Sequence, residues 1–209
     1  MSEKSQSFLS KFFGVVIRGQ TYLNLVYLFL AFPLGLFYFI LLVTGFSLGF
    51  GLLIVLVGVF ILAGMFVAWW ACAVFERQLA ISLLHEDIPP MSRSAPAGMT
   101  TWDRIKSHLA NPVTWKSLAY LLVKFPLGIL IFVVLVTLIS LTLAFLAAPV
   151  LYRFFPMEIL HFGIQYILID TLWKAIVCFF VGVALIFPTL HIFNGLAWIS
   201  GRFARVMLS

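Results

Sequence analysis

The polar residues that could do chemistry inside an apolar environment are concentrated in the stretch PTLHIFNG at 188–195. His191 and Asn194 are three residues apart, so a helix would place them on one face. At about 1.5 Å per residue, His191 would lie in the inner half of a membrane. An ionisable group there favours a binding site or a histidine whose hydrogen bonds a neighbouring helix satisfies. The remaining histidines fall in predicted loops, which excludes a bis-histidine cytochrome.

Catalytic and metal-binding patterns are scarce elsewhere. The 7 acidic residues are scattered, and the chain has no phosphate-binding glycine loop, no Cys/His metal spacing and no Ser/His/Asp order in a supporting context. Glu158, His161 and Asp170 share one segment, but their spacing is weak support for a metal. We therefore expect no enzymatic activity, no metal site and no cofactor.

A repeated tetrapeptide, FPLG, could control backbone geometry. It occurs at 32–35 and 125–128, each time inside a long apolar run. Proline removes a helical hydrogen bond and favours a bend, whereas glycine lets another helix approach closely. The pair could form two static bends that pack two halves together, or two hinges that pass a signal across a membrane. The hinge candidates are Pro33, Gly35, Pro126 and Gly128.

The composition requires lipid around these residues. Of 209 residues, 64% are hydrophobic and 10% charged, against about 45–50% and 25% in soluble domains. No globular core of this size could hide so much apolar surface. The net charge of +6 could suggest nucleic acid, but its distribution fits membrane orientation better, so we expect no nucleic-acid partner.

Four segments are long and apolar enough to cross a bilayer, which needs about 20 residues. The first two are joined by the short, glycine-rich segment 47–51, which predicts a tight antiparallel hairpin. The predicted spans are 22–46, 52–75, 119–146 and 172–199.

The hairpins are related in sequence. Residues 27–48 and 120–141 are identical at 12 of 22 positions, including Tyr, Pro, Gly, Thr and Ser in one register. The later spans match more weakly, through Val-Gly-Val at 57–59 and 181–183. We therefore predict an all-α integral membrane protein of four helices, arranged as two tandem parallel-repeat hairpins whose pseudo-twofold axis runs along the membrane normal.

Positive charges predict the orientation. Eleven of the 13 Lys and Arg residues flank the predicted spans on one side, which places both termini and the middle loop in the cytoplasm of a cell-membrane protein. The expected single domain covers 1–209. It comprises repeat one at about 22–84, a cytoplasmic linker and amphipathic helix at 85–116, and repeat two at about 117–206 with an outer insert at 147–171.

The middle loop could contact the inner leaflet or a partner. A turn-rich linker precedes a short helix that Thr100 is expected to cap, with apolar residues on one face. Asn111 is expected to cap the next helix, with Pro112 at its first position. The contact candidates are Trp102, Arg104, Lys106 and Trp115. The outer insert is rich in Phe, Ile and Leu, so we expect it to lie on the outer membrane surface or to cap the bundle.

Three stretches together resemble a known family. The pattern YLxxxFPLGxxxFxxLVT, FERQLA at 75–80 and NPVTWKSLAYLLVKFPLG at 111–128 are similar to the "putative sensor" membrane domain. That family of four-span domains often precedes histidine kinases in bacteria and archaea. The resemblance extends from about Tyr22 to Arg205 and implies a membrane-embedded input module. Because no kinase sequence follows here, it implies a stand-alone chain that signals to a separate protein.

Three functions follow as hypotheses. The first is a non-enzymatic, sensor-like module that detects an envelope, lipid or hydrophobic cue and signals to a separate partner. The second is a channel, a lipid carrier or the membrane subunit of a transporter, in which His191 and Asn194 face a water-filled cavity. The third is a structural or assembly subunit. Membrane lipids are expected partners in each case, and the sequence leaves a homodimer open.

Overall fold

The computed structural model describes residues 14–90, 111–154, 157–162, 165–169 and 171–209. It contains four long helices: α1 at Gly19–Gly51, α2 at Val57–Leu84, α3 at Pro112–Leu151 and α4 at Leu172–Met207. All four are long and apolar enough to cross a membrane, which confirms the four predicted spans. Each helix extends past the predicted span at one or both ends, whereas α2 begins at Val57 rather than at residue 52.

The outer insert is only partly helical. α3 continues to Leu151, and two short antiparallel strands follow, β1 at Met157–Phe162 and β2 at Gln165–Ile169. Their Ile, Leu, Phe and Tyr content is typical of strands. The helical class therefore holds for the four spans, and the insert adds a strand pair that the sequence analysis did not predict.

The connection between α1 and α2 lies later than predicted. Segment 47–51 is helical, and the chain reverses at Leu52–Leu56 through a 3₁₀ turn at Leu53–Val55. Leu56 adopts a left-handed conformation with φ of 61°. A Cβ on Gly58 would lie 2.2 Å from the carbonyl oxygen of Gly49. Because Gly58 has no side chain, α1 can stay helical up to the point where the chain reverses.

The chain divides into two compact units. Among the described residues, the first combines 14–21 with those between Val133 and Phe193. In it, α3 and α4 pack through a small buried cluster of Ala148, Ala175 and Cys178. On the same two helices, the hydroxyls of Thr142 in α3 and Thr189 in α4 are 3.3 Å apart. Small side chains therefore let these two helix segments approach closely.

The second unit combines Tyr22–Phe132 with Asn194–Ser209. In this unit, α1 contacts α2 near its C-terminal end, where a Cβ on Gly45 would overlap the side chain of Met65. Near its N-terminal end, α1 contacts α4 instead, where Asn24 Nδ2 donates to Asn194 Oδ1 at 2.8 Å. α1 thus changes partner along its length.

α2 buries one stripe of side chains at helical spacing. Near its C-terminal half it contacts α3, where Trp69 Nε1 donates to Ser117 Oγ at 3.0 Å. The buried residues of the stripe are Gly58, Met65, Trp69, Ala73, Glu76 and Ala80. Five of them are what an apolar helix face predicts; Glu76 is the exception.

The start of α3 follows the prediction. Asn111 Oδ1 accepts a hydrogen bond from the backbone N–H of Val113 at 3.0 Å, and Pro112 is the first helical residue. The predicted cap is therefore confirmed. The Thr100-capped helix lies outside the described residues.

The segment after α2 is fixed to neighbouring helices. Arg77 donates to the backbone carbonyls of Ile88 at 2.5 Å and Pro89 at 3.0 Å. Glu86 pairs with Arg205 of α4 at 2.5 Å. These contacts hold residues 86–89 against the ends of α2 and α4.

Candidate functional site

The two FPLG motifs contact each other where α1 and α3 cross. A Cβ on Gly35 would lie 2.8 Å from the carbonyl oxygen of Lys124 and 3.0 Å from the Cα of Phe125. A Cβ on Gly128 would lie 2.7 Å from the carbonyl oxygen of Ala31 and 3.0 Å from the Cα of Phe32. The contacts are reciprocal, since each glycine meets the residues three and four positions before the other glycine. The expected role of these glycines in close approach is confirmed.

Two phenylalanine stacks flank the crossing. The rings of Phe32 and Phe132 are 4.9 Å apart between centroids, with 26° between their planes. The rings of Phe39 and Phe125 are 4.6 Å apart, with 22° between their planes. In both stacks one ring precedes a motif proline and the other follows a motif glycine by four residues. Offset stacking at these distances adds about 0.5–1.5 kcal/mol per pair beyond area burial.

The two motif prolines lie on the opposite side of their helices from the glycines. Pro33 and Pro126 are exposed, and both helices continue through them, whereas Gly35 and Gly128 are buried. In a membrane the proline rings would therefore face lipid while the glycines face the neighbouring helix. Whether the prolines act as hinges stays a prediction.

A buried ion pair lies beside the crossing. The ammonium of Lys124 contacts Glu76 Oε2, and the two residues are 3% and 0% exposed. The carbonyl of Lys124 is the group that packs on Gly35, so the crossing and the ion pair share one residue. Losing either partner of a buried pair leaves an uncompensated charge, at about 3–5 kcal/mol. The pair therefore fixes α2 against α3.

Tyrosines surround the charges. Tyr120 donates its hydroxyl to Glu76 Oε2 at 3.3 Å. The Lys124 ammonium lies 5.0 Å from the ring centroid of Tyr27 and 5.6 Å from that of Tyr120, which allows cation–π attraction to both. These aromatic faces and the carboxylate together replace the water that a lysine normally retains.

Two polar atoms of this cluster are left without a partner. The hydroxyl of Tyr38 and Glu76 Oε1 are buried and have no hydrogen bond within the part of the chain that the structure describes. The Tyr38 hydroxyl is close enough to interact electrostatically with Glu76. Because unsatisfied buried polar atoms are costly, this is where the packing is least complete.

A small cavity borders the cluster on the α4 side. Its volume of about 10 Å³ is near the lower limit for one water molecule. Its wall includes residues of α1, α3 and α4, among them Tyr27, Ala31, Tyr120, Lys124, Ser200 and Phe203. Lys124 thus pairs with a carboxylate and also belongs to the wall of the cavity.

This charge cluster was not predicted. Glu76 directly follows the predicted end of the second span, and Lys124 lies near the start of the third. Both belong to stretches that carried the family resemblance, FERQLA and NPVTWKSLAYLLVKFPLG. The sequence did offer one indication of the ion pair, because an acidic and a basic residue fall within these two stretches of an otherwise apolar protein.

The intramembrane candidates have separate partners. His191 is exposed, and its Nδ1 lies 2.9 Å from the carbonyl oxygen of Phe187 in its own helix. Asn194 bonds Asn24 of α1. Neither lines the cavity beside Lys124. The two residues are near in sequence, but these contacts do not join them into one site.

Of the contact candidates in the middle loop, only Trp115 is described. It lies on α3, is exposed, and its ring is 5.9 Å from that of Trp69 between centroids. Trp102, Arg104 and Lys106 lie outside the described residues. Within the described ranges, no three His, Cys, Asp or Glu residues are grouped as metal ligands.

Comparison with known proteins gives one match. The family model described as "Putative sensor" matches residues 27–208, which includes most of α1, all of α2, α3 and α4, the FPLG crossing and the ion pair. No curated protein and no solved structure matches the chain. Because the match covers far more than half of the sequence, the chain belongs to this sensor family.

Proposed function

We propose that this chain is a non-enzymatic, membrane-embedded sensor module that converts a lipid, envelope or hydrophobic cue into a change in the α1–α3 crossing. The observation that carries the proposal is the reciprocal backbone contact at Gly35 and Gly128. Two helices that touch through backbone at one point can change their crossing angle there. At the two glycines only backbone is in close contact, so a change of angle is opposed mainly by the phenylalanine stacks on either side.

The exchange of partners along α1 supports a coupling role. α1 contacts α2 through Gly45 on one side of the crossing and α4 through Asn24 on the other. A rotation about the crossing therefore alters different helix contacts at the two ends of α1. This is the geometry that a signal between the two membrane faces requires.

The same contacts support the proposed internal symmetry. The crossing glycines, the flanking phenylalanine stacks and the exposed prolines all correspond under a shift of 93 residues. We therefore propose two tandem hairpins related by a pseudo-twofold axis along the membrane normal. The axis would pass through the crossing.

The orientation and the partner are further parts of the proposal. We place both termini and the middle loop in the cytoplasm of a cell-membrane protein, because positive residues flank the helices on that side. The surface around Trp102, Arg104, Lys106 and Trp115 would contact anionic lipid or a separate signalling protein. Of these residues, Trp115 lies against Trp69 of α2.

Transport is not favoured by any observation on the described residues. That hypothesis expected His191 and Asn194 to face a water-filled cavity. His191 instead bonds its own helix, and Asn194 bonds α1.

The test measures the crossing in bilayers of defined composition. Spin labels at Val26→Cys and Ala119→Cys, in a chain with Cys72 and Cys178 replaced by Ala, lie at exposed positions on the N-terminal side of the crossing. Since label and crossing are about 13 Å apart along each helix, a change of about 20° in the crossing angle moves one label relative to the other by about 5 Å. Pulsed dipolar spectroscopy resolves this shift.

Phosphatidylcholine bilayers with 14- and 22-carbon chains, each with and without phosphatidylglycerol, provide the cues. A sensor module gives label distances that change with chain length or anionic lipid. A distance that stays constant in all four bilayers contradicts the proposal and supports a structural subunit. Photocrosslinking from position 116, exposed on α3, then tests for the separate partner in cells.

A further inference from the structure

α2 and α4 bury equivalent positions. Every buried residue of the α2 stripe has a buried counterpart 124 positions later in α4. Pairs such as Trp69 and Phe193, or Ala73 and Ala197, are conservative in character. The register is the one that the Val-Gly-Val match indicates. In this register Glu76 corresponds to Ser200, and both are buried, at 0% and 5% exposure.

α1 and α3 correspond under a shift of 93 residues, as the crossing glycines do. In that register Lys124 corresponds to Ala31. The two registers together relate the Glu76–Lys124 ion pair between α2 and α3 to Ser200 and Ala31 on α4 and α1. Ser200 and Ala31 both line the cavity beside Lys124. The cavity is therefore found where the counterpart of the ion pair would lie.

Polar bridges connect the same pairs of helices. Asn24 of α1 bonds Asn194 of α4, and Ser117 of α3 bonds Trp69 of α2. Asn24 and Ser117 are 93 positions apart, so equivalent positions reach to equivalent helices. The bridges therefore support the pairing of α1 with α4 and of α3 with α2, although their partners Asn194 and Trp69 differ by one position in the 124-residue register.

We propose that the cavity beside Ser200 is a second carboxylate-binding position for Lys124, the counterpart in the second hairpin of the position that Glu76 occupies in the first. Lys124 contacts Glu76 and is also one of the residues that line the cavity. Ser200 currently donates its hydroxyl to the carbonyl of Leu196 in its own helix at 2.8 Å. It therefore contributes no charge to the lysine.

The contact of α2 with α3 and that of α1 with α4, here called the two seams of the bundle, differ at this level. The α2–α3 seam contains an ion pair, whereas at the corresponding level the α1–α4 seam has a small hydroxyl residue, an alanine and a cavity. The α1–α4 seam is thus the more compressible of the two. It is the side on which a polar group could approach Lys124 from outside the α2–α3 contact.

Transposing the acid tests the proposal. Glu76→Ser should lower the apparent Tm in mild detergent by about 6 °C or more, because it leaves Lys124 buried without a counter-charge. Adding Ser200→Glu to that variant should restore at least half of the loss, because the new carboxylate pairs with Lys124 from the cavity. Ser200→Glu alone should lower the Tm, since two carboxylates then share one ammonium.

Two matched controls isolate the charge and its position. Ser200→Gln in the Glu76→Ser chain has similar size without charge and should give no recovery. Thr189→Glu in the same background places an acid on α4 about 16 Å along the helix from residue 200 and should also give none. If Glu76→Ser does not yield a monodisperse protein, recovery of the monodisperse peak by Ser200→Glu is the readout.

Each outcome decides the matter. Recovery by Ser200→Glu and not by either control establishes the second position. Equal recovery by Gln, recovery by Glu at 189, no recovery at all, or an unchanged Tm for Glu76→Ser overturns it. Because Tm in detergent does not depend on signalling, a failure here is distinct from a failure of the proposed function.

Discussion

Replacing a crossing glycine by alanine tests the backbone contact between α1 and α3. In Gly35→Ala the new Cβ would lie 2.8 Å from the carbonyl oxygen of Lys124, whereas ordinary contact begins near 3.4 Å. The helices must therefore separate locally by about 0.6 Å. Backbone atoms form the obstacle, so no side-chain rotation relieves it. Strain of this kind costs about 1–3 kcal/mol.

A matched glycine removes the contribution of helix propensity. Alanine is about 1 kcal/mol better than glycine inside a helix, which would partly mask the strain. Gly64 of α2 is also inside a helix, but a Cβ there meets nothing within 4 Å. The difference between Gly35→Ala and Gly64→Ala isolates the strain. For a chain of this size it corresponds to about 2–12 °C in Tm.

The double variant adds a test of reciprocity. Gly128→Ala meets the carbonyl of Ala31 at 2.7 Å, so it should resemble Gly35→Ala on its own. Once one alanine has moved the helices apart, the second has less to displace. The double variant should therefore lose less stability than the two single losses added together. Thermal unfolding in mild detergent, followed by fluorescence-detected size exclusion, measures all four chains. A Tm for Gly35→Ala equal to that of Gly64→Ala would refute the close contact.

Three further predictions concern the contacts around the crossing. Glu76→Gln and Lys124→Met should each lower the free energy of unfolding by about 3–5 kcal/mol. The double variant Glu76→Leu with Lys124→Met should recover most of that loss, because no charge stays buried. Additive losses in thermal unfolding would contradict this. Asn24→Ala and Trp69→Phe should each lose one interhelical hydrogen bond. Each should lower the free energy of unfolding by about 0.6 kcal/mol, and by no more than about 1.7 kcal/mol. A loss as large as that of Glu76→Gln would be inconsistent with a single bond. Arg77→Gln should speed amide hydrogen exchange at residues 86–88, because Arg77 bonds the carbonyls of Ile88 and Pro89. Arg202→Gln, at an exposed position of α4, is the control. Equal exchange in the two variants would show that Arg77 does not hold this segment in place.

The spans and the contact glycines could be predicted from the sequence because both depend on local patterns. Apolar length predicts a membrane helix, and FPLG repeated in one register predicts a matched contact. The α1–α2 reversal was placed five residues too early, since glycines usually indicate a turn. Here Gly45 and Gly49 stay helical and instead admit Met65 and Leu62 of α2. Local glycine content does not distinguish these two uses.

The charge cluster could not be predicted in this way, because pairing depends on which helices meet. Glu76 and Lys124 were placed at span borders, where charged residues normally reach water. Only the crossing of α1 and α3 brings Lys124 into the interior beside α2. His191 shows the converse case. Its position suggested a functional site, but its imidazole bonds a carbonyl one turn earlier in its own helix.

The separation of the ion pair along the chain affects how the protein is made. Glu76 leaves the ribosome 48 residues before Lys124, a delay of roughly 2–10 s at 5–20 residues per second. During that interval α2 must enter the bilayer with an acid that lacks its counter-charge, at a cost of up to about 3 kcal/mol for a charged residue in a translocon-inserted helix. Until the third helix arrives, the first hairpin therefore lacks the counter-charge that Glu76 has in the complete bundle.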